Sequence, residues 1–155
     1  MGIEIERKFL LRSDDWRSQV SRSQRMRQGY LYRTDNSAMR VRICGEQAHI
    51  NIKHTEDGIQ RLEYEYSIPL ADAGEMLERI AIRPLIDKTR HEVHIGGHLW
   101  EIDEFHGENQ GLIVAEIELG SVDEGFERPD WLGEEVSHDR RYFNSNLILH
   151  PYTQW

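Results

Sequence analysis

The stretch that decides the fold is Gly2-Ile3-Glu4-Ile5-Glu6-Arg7-Lys8-Phe9. Its side chains alternate with a period of two, which predicts a β-strand. One face carries Ile3, Ile5 and Phe9, and the other carries Glu4, Glu6 and Lys8. Antiparallel sheets often leave one face in water, and charges there need no function. The same division recurs down the chain, however, and that repetition calls for an explanation.

Arg40 and Arg42 flank Val41, and Lys53 shares a face with Asn51. Glu63 and Glu65 alternate with Leu62, Tyr64 and Tyr66, and Lys88 and Arg90 follow. Asp103 then appears in LWEIDEF, and Glu116 and Glu118 lie between Ala115, Ile117 and Leu119. Strand-like alternation covers 3–11, 25–33, 38–44, 47–54, 61–68, 85–95, 98–106 and 113–120. Turn signals at 35–37, 56–58 and 95–97 separate several of these runs, which predicts hairpins. Eight strands in sequential order predict a mainly β (α+β) protein, an antiparallel sheet or barrel with accessory helices. Those helices are expected at 13–20, capped by Ser13, at 71–80 with Ala73, Met76, Leu77 and Ile80 on one face, and at 139–150 before Pro151.

The 155 residues suit one domain spanning 1–155. A formal net charge of −9 disfavours general attraction to nucleic acid or to an anionic membrane, so neither is expected as a partner. A local basic groove stays compatible with that charge. Cys44 is the one cysteine, so no intrachain disulfide forms. No apolar run reaches membrane length, and glutamates stand where a signal peptide needs apolar residues. The expected location is the cytoplasm.

Side chains two apart on a strand lie about 6.5–7 Å from each other. Like charges at that spacing repel by about 2.4 kcal/mol at an effective dielectric of about 20, and by about 0.6 kcal/mol in bulk water. An outer surface tolerates such pairs, whereas an enclosed one needs ligands that neutralise each patch. Carboxylate pairs suit hard divalent cations, and Lys/Arg clusters suit a polyanion. The two together suit a metal complexed to a phosphate chain, the requirement of metal-assisted phosphoryl chemistry.

Glu4-Ile5-Glu6-Arg7-Lys8 resembles the ExExK signature of the triphosphate tunnel metalloenzymes, the CYTH superfamily. RVR at 40–42, Lys53, EYE at 63–65, KTR at 88–90 and EIE at 116–118 follow in the family's order. The resemblance spans essentially the whole chain and is to the short, single-domain bacterial members. It implies an eight-stranded antiparallel closed β-barrel forming a tunnel with charged walls, with helices outside and a C-terminal helix closing one mouth. It also implies hydrolysis of inorganic triphosphate to pyrophosphate and phosphate with Mg²⁺ or Mn²⁺, with two ions expected.

On the same basis, Glu4, Glu6, Glu63, Glu65, Glu116, Glu118 and, less closely matched, Asp103 are the expected metal-side acids. Lys8, Arg40, Arg42, Lys53, Lys88 and Arg90 are expected to grip the phosphates. One ion is expected near Glu4, Glu6, Glu116 and Glu118, and a second near Glu63 and Glu65, activating the attacking water. Tyr30, in QGYL, is a candidate to pair with Lys8 in the tunnel. The substrate is expected to be a small polyanion, and a homodimer is left open. Adenylyl cyclase of the same fold, thiamine or nucleoside triphosphatase, and a non-catalytic polyphosphate-binding module are the alternatives. The intact acidic pairs favour catalysis over the last.

Other features carry less. His91, His94, His98 and His106 crowd one hairpin, but alternation puts His91 and His94 on opposite faces. They are expected at the surface. His138-Asp139 reads as the approach to the last helix, Cys44 as a small buried hydrophobe, and the tryptophans as packing.

Overall fold

A computed structural model describes residues 2–155, and for Asp57 the backbone alone. Met1 of the expected domain lies outside the described residues. The strands are β1 (Gly2–Leu11), β2 (Arg22–Arg33), β3 (Ser37–Cys44), β4 (Gln47–Asp57), β5 (Gln60–Ser67), β6 (Ile82–Ile95), β7 (His98–Phe105), β8 (Ile113–Leu119) and β9 (Leu132–Glu135). Their order across the sheet is β5-β4-β3-β2-β6-β7-β8-β1-β9, and β1 also pairs with β5. That pairing closes β1–β8 into an antiparallel barrel, the outcome that the resemblance implied and that the eight alternating runs left open between sheet and barrel.

β1 does three jobs along its length. Gly2–Ile5 pair with β5, Ile5–Leu10 pair with β8, and Phe9 and Leu11 pair with β9. The short β9 had no signal in sequence, because LGEE does not alternate. It is a strand because the far end of β1 offers it an unpaired edge.

The barrel reverses the usual placement of the core. Its outward faces are apolar, and outer segments cover them. Phe9, Trp100 and Ile117 pack with Trp16 and Trp131, all of them buried, and Trp100 meets Trp131 edge-on at 5.7 Å between centroids. Three of the four tryptophans are therefore packing residues, and Trp155 remains 45 % exposed. Ile3 is an exception on the outward face at 61 % exposure.

The helices differ from expectation in detail. The 13–20 segment forms a 3₁₀ turn over Asp15–Gln19, preceded by Asp14 without a side-chain cap. Helix α1 (Leu70–Arg79) buries Ala73 and Leu77, while Ile80 follows it and stays exposed. The expected single helix over 139–150 is broken into a 3₁₀ turn at Arg140–Tyr142 and a short α2 (Asn144–Leu147). Phe143 between them is extended, with φ −70° and ψ 132°. Cys44 is only partly buried.

Gly29 fixes where α1 sits. A Cβ there would meet Ala81 Cβ and Leu85 Cδ2 at 2.8 Å and Leu77 Cδ2 at 2.9 Å. Only the bare backbone lets α1 approach β2 this closely. Gly29→Ala is expected to destabilise the fold by about 1–3 kcal/mol through overpacking. Urea unfolding measures it, and an unchanged midpoint would show that the helix yields freely.

Candidate active site

Alternation turns the polar face of each barrel strand inward, so the charged residues line one internal cavity of about 270 Å³. It is lined by Glu4, Glu6 and Lys8 of β1, Tyr30 of β2, Arg40 and Arg42 of β3, and Lys53 of β4. Glu63 and Glu65 of β5, Lys88 and Arg90 of β6, and Glu116 and Glu118 of β8 complete the predicted set apart from Asp103. The register places Glu6 opposite Glu118 and Lys8 opposite Glu116, and Lys53 opposite Glu63.

The basic side chains fall into two kinds. Most are paired with an acid: Lys53 Nζ lies 3.0 Å from Glu63 and 3.2 Å from Glu4, and Arg42 lies 3.5 Å from Glu65. Arg40 is different. It is 7 % exposed, its Nε is buried without a partner, and its side chain makes no hydrogen bond or ion pair among the described residues. A desolvated guanidinium without a counter-ion in contact is expensive, and part of the cost is recovered when an anion arrives.

Asp103 departs from the expected role of metal ligand. It is fully buried and does not line the cavity. Arg90 holds it in a two-pronged contact, Nε to Oδ1 and Nη2 to Oδ2, both at 2.8 Å. Lys88 Nζ donates to Oδ2 at 2.6 Å. Both oxygens are thus taken by cations, which hold the carboxyl below its usual range although burial opposes them. The carboxylate sits behind the wall and aims two cations through it.

Tyr30 and Lys8 both line the cavity, but no hydrogen bond joins them among the described residues. Lys8 Nζ instead donates to the Tyr142 carbonyl at 3.1 Å and lies 3.8 Å from Glu116. The break at Phe143 is what frees that carbonyl from helical pairing. The C-terminal segment therefore touches the signature lysine directly, and Arg140, Phe143 and Asn144 join the cavity lining.

Several lining residues escaped the sequence reading. Arg61 reaches Glu4 at 2.6 Å and Glu6 at 3.1 Å. Glu101 lies 3.2 Å from Arg90. Both signals were present, since Arg61 shares a face with Glu63 and Glu65, and Glu101 with Asp103. Ser137 and Arg140 come from the C-terminal segment, where no period marks them, and Arg33 ends β2 beyond the register shift between Tyr30 and Tyr32, which breaks its period with Tyr30.

The acids are the right donors for a hard cation, all carboxylate oxygens. Glu118 is pushed up by burial and by the charges of Glu4 and Glu63, and it has no basic partner in ion-pair contact among the described residues. A carboxyl raised by its like-charged neighbours is one that a divalent cation would relieve. The residues fit a metal in chemistry, though no group of three ligating side chains among the described residues is poised for one.

The histidines form no ligand cluster among the described residues. His91 contacts Ser23 and Glu104, His98 contacts Glu124, and His106 contacts Thr89. No helix among the described residues is long and apolar enough to cross a membrane.

The CYTH domain profile matches residues 2–148. The chain belongs to the CYTH family. It is 45 % identical over 152 residues to an inorganic triphosphatase of Acetivibrio thermocellus, covering 98 % of this chain and 97 % of that one. It is 37 % identical over 150 residues to an inorganic triphosphatase of Nitrosomonas europaea, with 94 % and 97 % covered. The crystal structure of an inorganic triphosphatase superposes with a TM-score of 0.68 at 34 % identity, with 96 % of each chain covered. The CYTH barrel is thus matched along its whole length.

Proposed function

We propose that this CYTH protein hydrolyses inorganic triphosphate, releasing pyrophosphate and phosphate inside the barrel. The observation that carries the reading is Arg40, a buried, unpartnered guanidinium in a cavity walled by carboxylates. Acids without an anion site would suit a cation alone, and cations without acids would suit a binding module. Relatives that are inorganic triphosphatases support the same substrate.

In this reading Lys8, Arg40, Arg42, Lys53, Lys88 and Arg90 take the non-bridging oxygens. Their charge offsets the repulsion that the phosphate chain offers an incoming nucleophile. Glu4, Glu6, Glu63, Glu65, Glu116 and Glu118 would hold Mg²⁺ or Mn²⁺. When bound, the metal supplies charge neutralisation and an activated water. Asp103 is left out of that set and keeps Lys88 and Arg90 in place. Phosphate release should be measured over tripolyphosphate, ATP, thiamine triphosphate and longer polyphosphate, with Mg²⁺ and Mn²⁺ separately. Tripolyphosphate is expected to be the preferred substrate. Cyclic AMP as the main product from ATP, or tight binding without turnover, would overturn the assignment.

The pH profile carries a further expectation. Burial pushes Lys88 down to about 8, against the pull of Asp103. The charged amine is the form that grips phosphate, and it is the form present below that pH. The free-enzyme parameter kcat/KM should therefore hold up to about pH 8 and fall above it. Arginine stays charged, so Lys88→Arg should carry the fall to higher pH. An identical profile in an active Lys88→Arg enzyme would assign the fall to another group.

A further inference from the structure

Arg61 stands opposite Glu4 at the seam where β5 meets β1 and the barrel closes. Its Nη2 donates to Glu4 Oε1 at 2.6 Å and to Glu6 Oε1 at 3.1 Å. Lys53 Nζ approaches the same Glu4 carboxylate, 3.2 Å from Oε1 and 3.5 Å from Oε2. Both oxygens of Glu4 are therefore engaged by basic side chains. A divalent cation that takes this acid pair has to take it from Arg61.

We propose that Arg61 is the internal counter-ion of Glu4 and Glu6, and that it releases them only to a metal that arrives with a phosphate chain. This rests on reading the cavity as a metal–triphosphate site. The exchange conserves charge pairing. The metal replaces the guanidinium on the carboxylates, and the guanidinium passes to phosphate oxygens, which it meets with the same forked geometry. A metal ion alone offers no such exchange, because it would leave Arg61 partly buried, 27 % exposed, beside a second cation. Burial alone would lower the pKa of Arg61, but Glu6 and Glu4 outweigh it and hold the guanidinium charged. What changes hands is a partner and not a proton. The consequence is an acid site with weak affinity for free metal and a strong one for the metal–phosphate complex.

The test is a titration of the intact protein with Mn²⁺ alone, followed by electron paramagnetic resonance, with no phosphate present. Arg61→Gln is expected to bind Mn²⁺ at least about tenfold more tightly than the wild type, within the usual range of coupling between sites. Arg61→Lys keeps the charge but not the fork, and should gain less than Arg61→Gln while still exceeding the wild type. Arg42→Gln removes a cation of the same cavity that contacts Glu65 rather than Glu4 or Glu6. It should gain less than about threefold if the effect is specific to the bridge. Unchanged Mn²⁺ affinity in folded Arg61→Gln, or an equal gain in Arg42→Gln, overturns the exchange. Should Arg61→Gln fail to fold, an unchanged affinity in Arg61→Lys overturns it instead. Glu4→Gln in the Arg61→Gln background separates the two claims, because it should erase the gain in Mn²⁺ affinity. A gain that survives Glu4→Gln would place the ion away from Glu4 and sink the metal reading of this acid pair, and the exchange with it.

Discussion

Asp103→Asn is expected to cost about 3–5 kcal/mol of folding stability and most of the affinity for tripolyphosphate, while leaving Mn²⁺ binding intact. The substitution keeps the volume of the side chain and removes only its charge. Lys88 and Arg90 are then left in the wall without the anion that three contacts of 2.6–2.8 Å now supply. Losing one partner of a buried ion pair costs more than the pair contributes, because the other charge stays desolvated. The two cations would also lose their aim, so KM should rise. Urea unfolding and Mn²⁺ titration on the same variant settle the role of Asp103. Weakened Mn²⁺ binding by a folded variant would return Asp103 to the metal ligands, where resemblance alone placed it.

Lys8→Ala should abolish most hydrolysis, by about 10²–10³-fold in kcat, the loss that follows removal of one preorganised donor at a developing charge. Lys8 is 7 % exposed, held between the Tyr142 carbonyl and Glu116, with Phe143 beneath its ammonium at 5.9 Å. A buried lysine held in one place is worth far more than a mobile surface lysine, because its charge acts through a lower dielectric. The test is phosphate release alongside calorimetric binding of tripolyphosphate. Full hydrolysis together with full binding would show that the cavity is not where triphosphate reacts. Removing the residues after Phe143 tests the supporting contact. Lys8 would lose the segment that orders the Tyr142 carbonyl, and a partial loss of the same kind is expected.

Much of the barrel was legible because its period is local. Ile3, Ile5 and Phe9 against Glu4, Glu6 and Lys8 is information carried by seven consecutive residues, and the other charged strands repeat it. β9 and the broken C-terminal segment were not legible for the opposite reason. Leu132–Glu135 has no period of its own and is a strand only beside β1. The 139–150 run reads as one helix by local pattern, yet Phe143 adopts an extended backbone where the Tyr142 carbonyl meets Lys8, a residue 134 positions away.

The sequence by itself determined which side chains share a face, and therefore that the paired acids and paired bases lie on one side of each strand. It determined this because the direction of a side chain on a strand depends only on its place in a two-residue repeat. Which acid meets which base was decided by the tertiary structure. Arg61 lies on Glu4 because β5 closes against β1, and Asp103 serves Lys88 and Arg90 because β7 lies beside β6. Ion pairing falls off with distance and with exposure to water, so it depends on neighbours and burial that no single strand contains. That is why Glu4 and Asp103, both acids on inward-facing patterns, end in different positions: one on the cavity, shared between cations that can be exchanged, and one behind it, fixed.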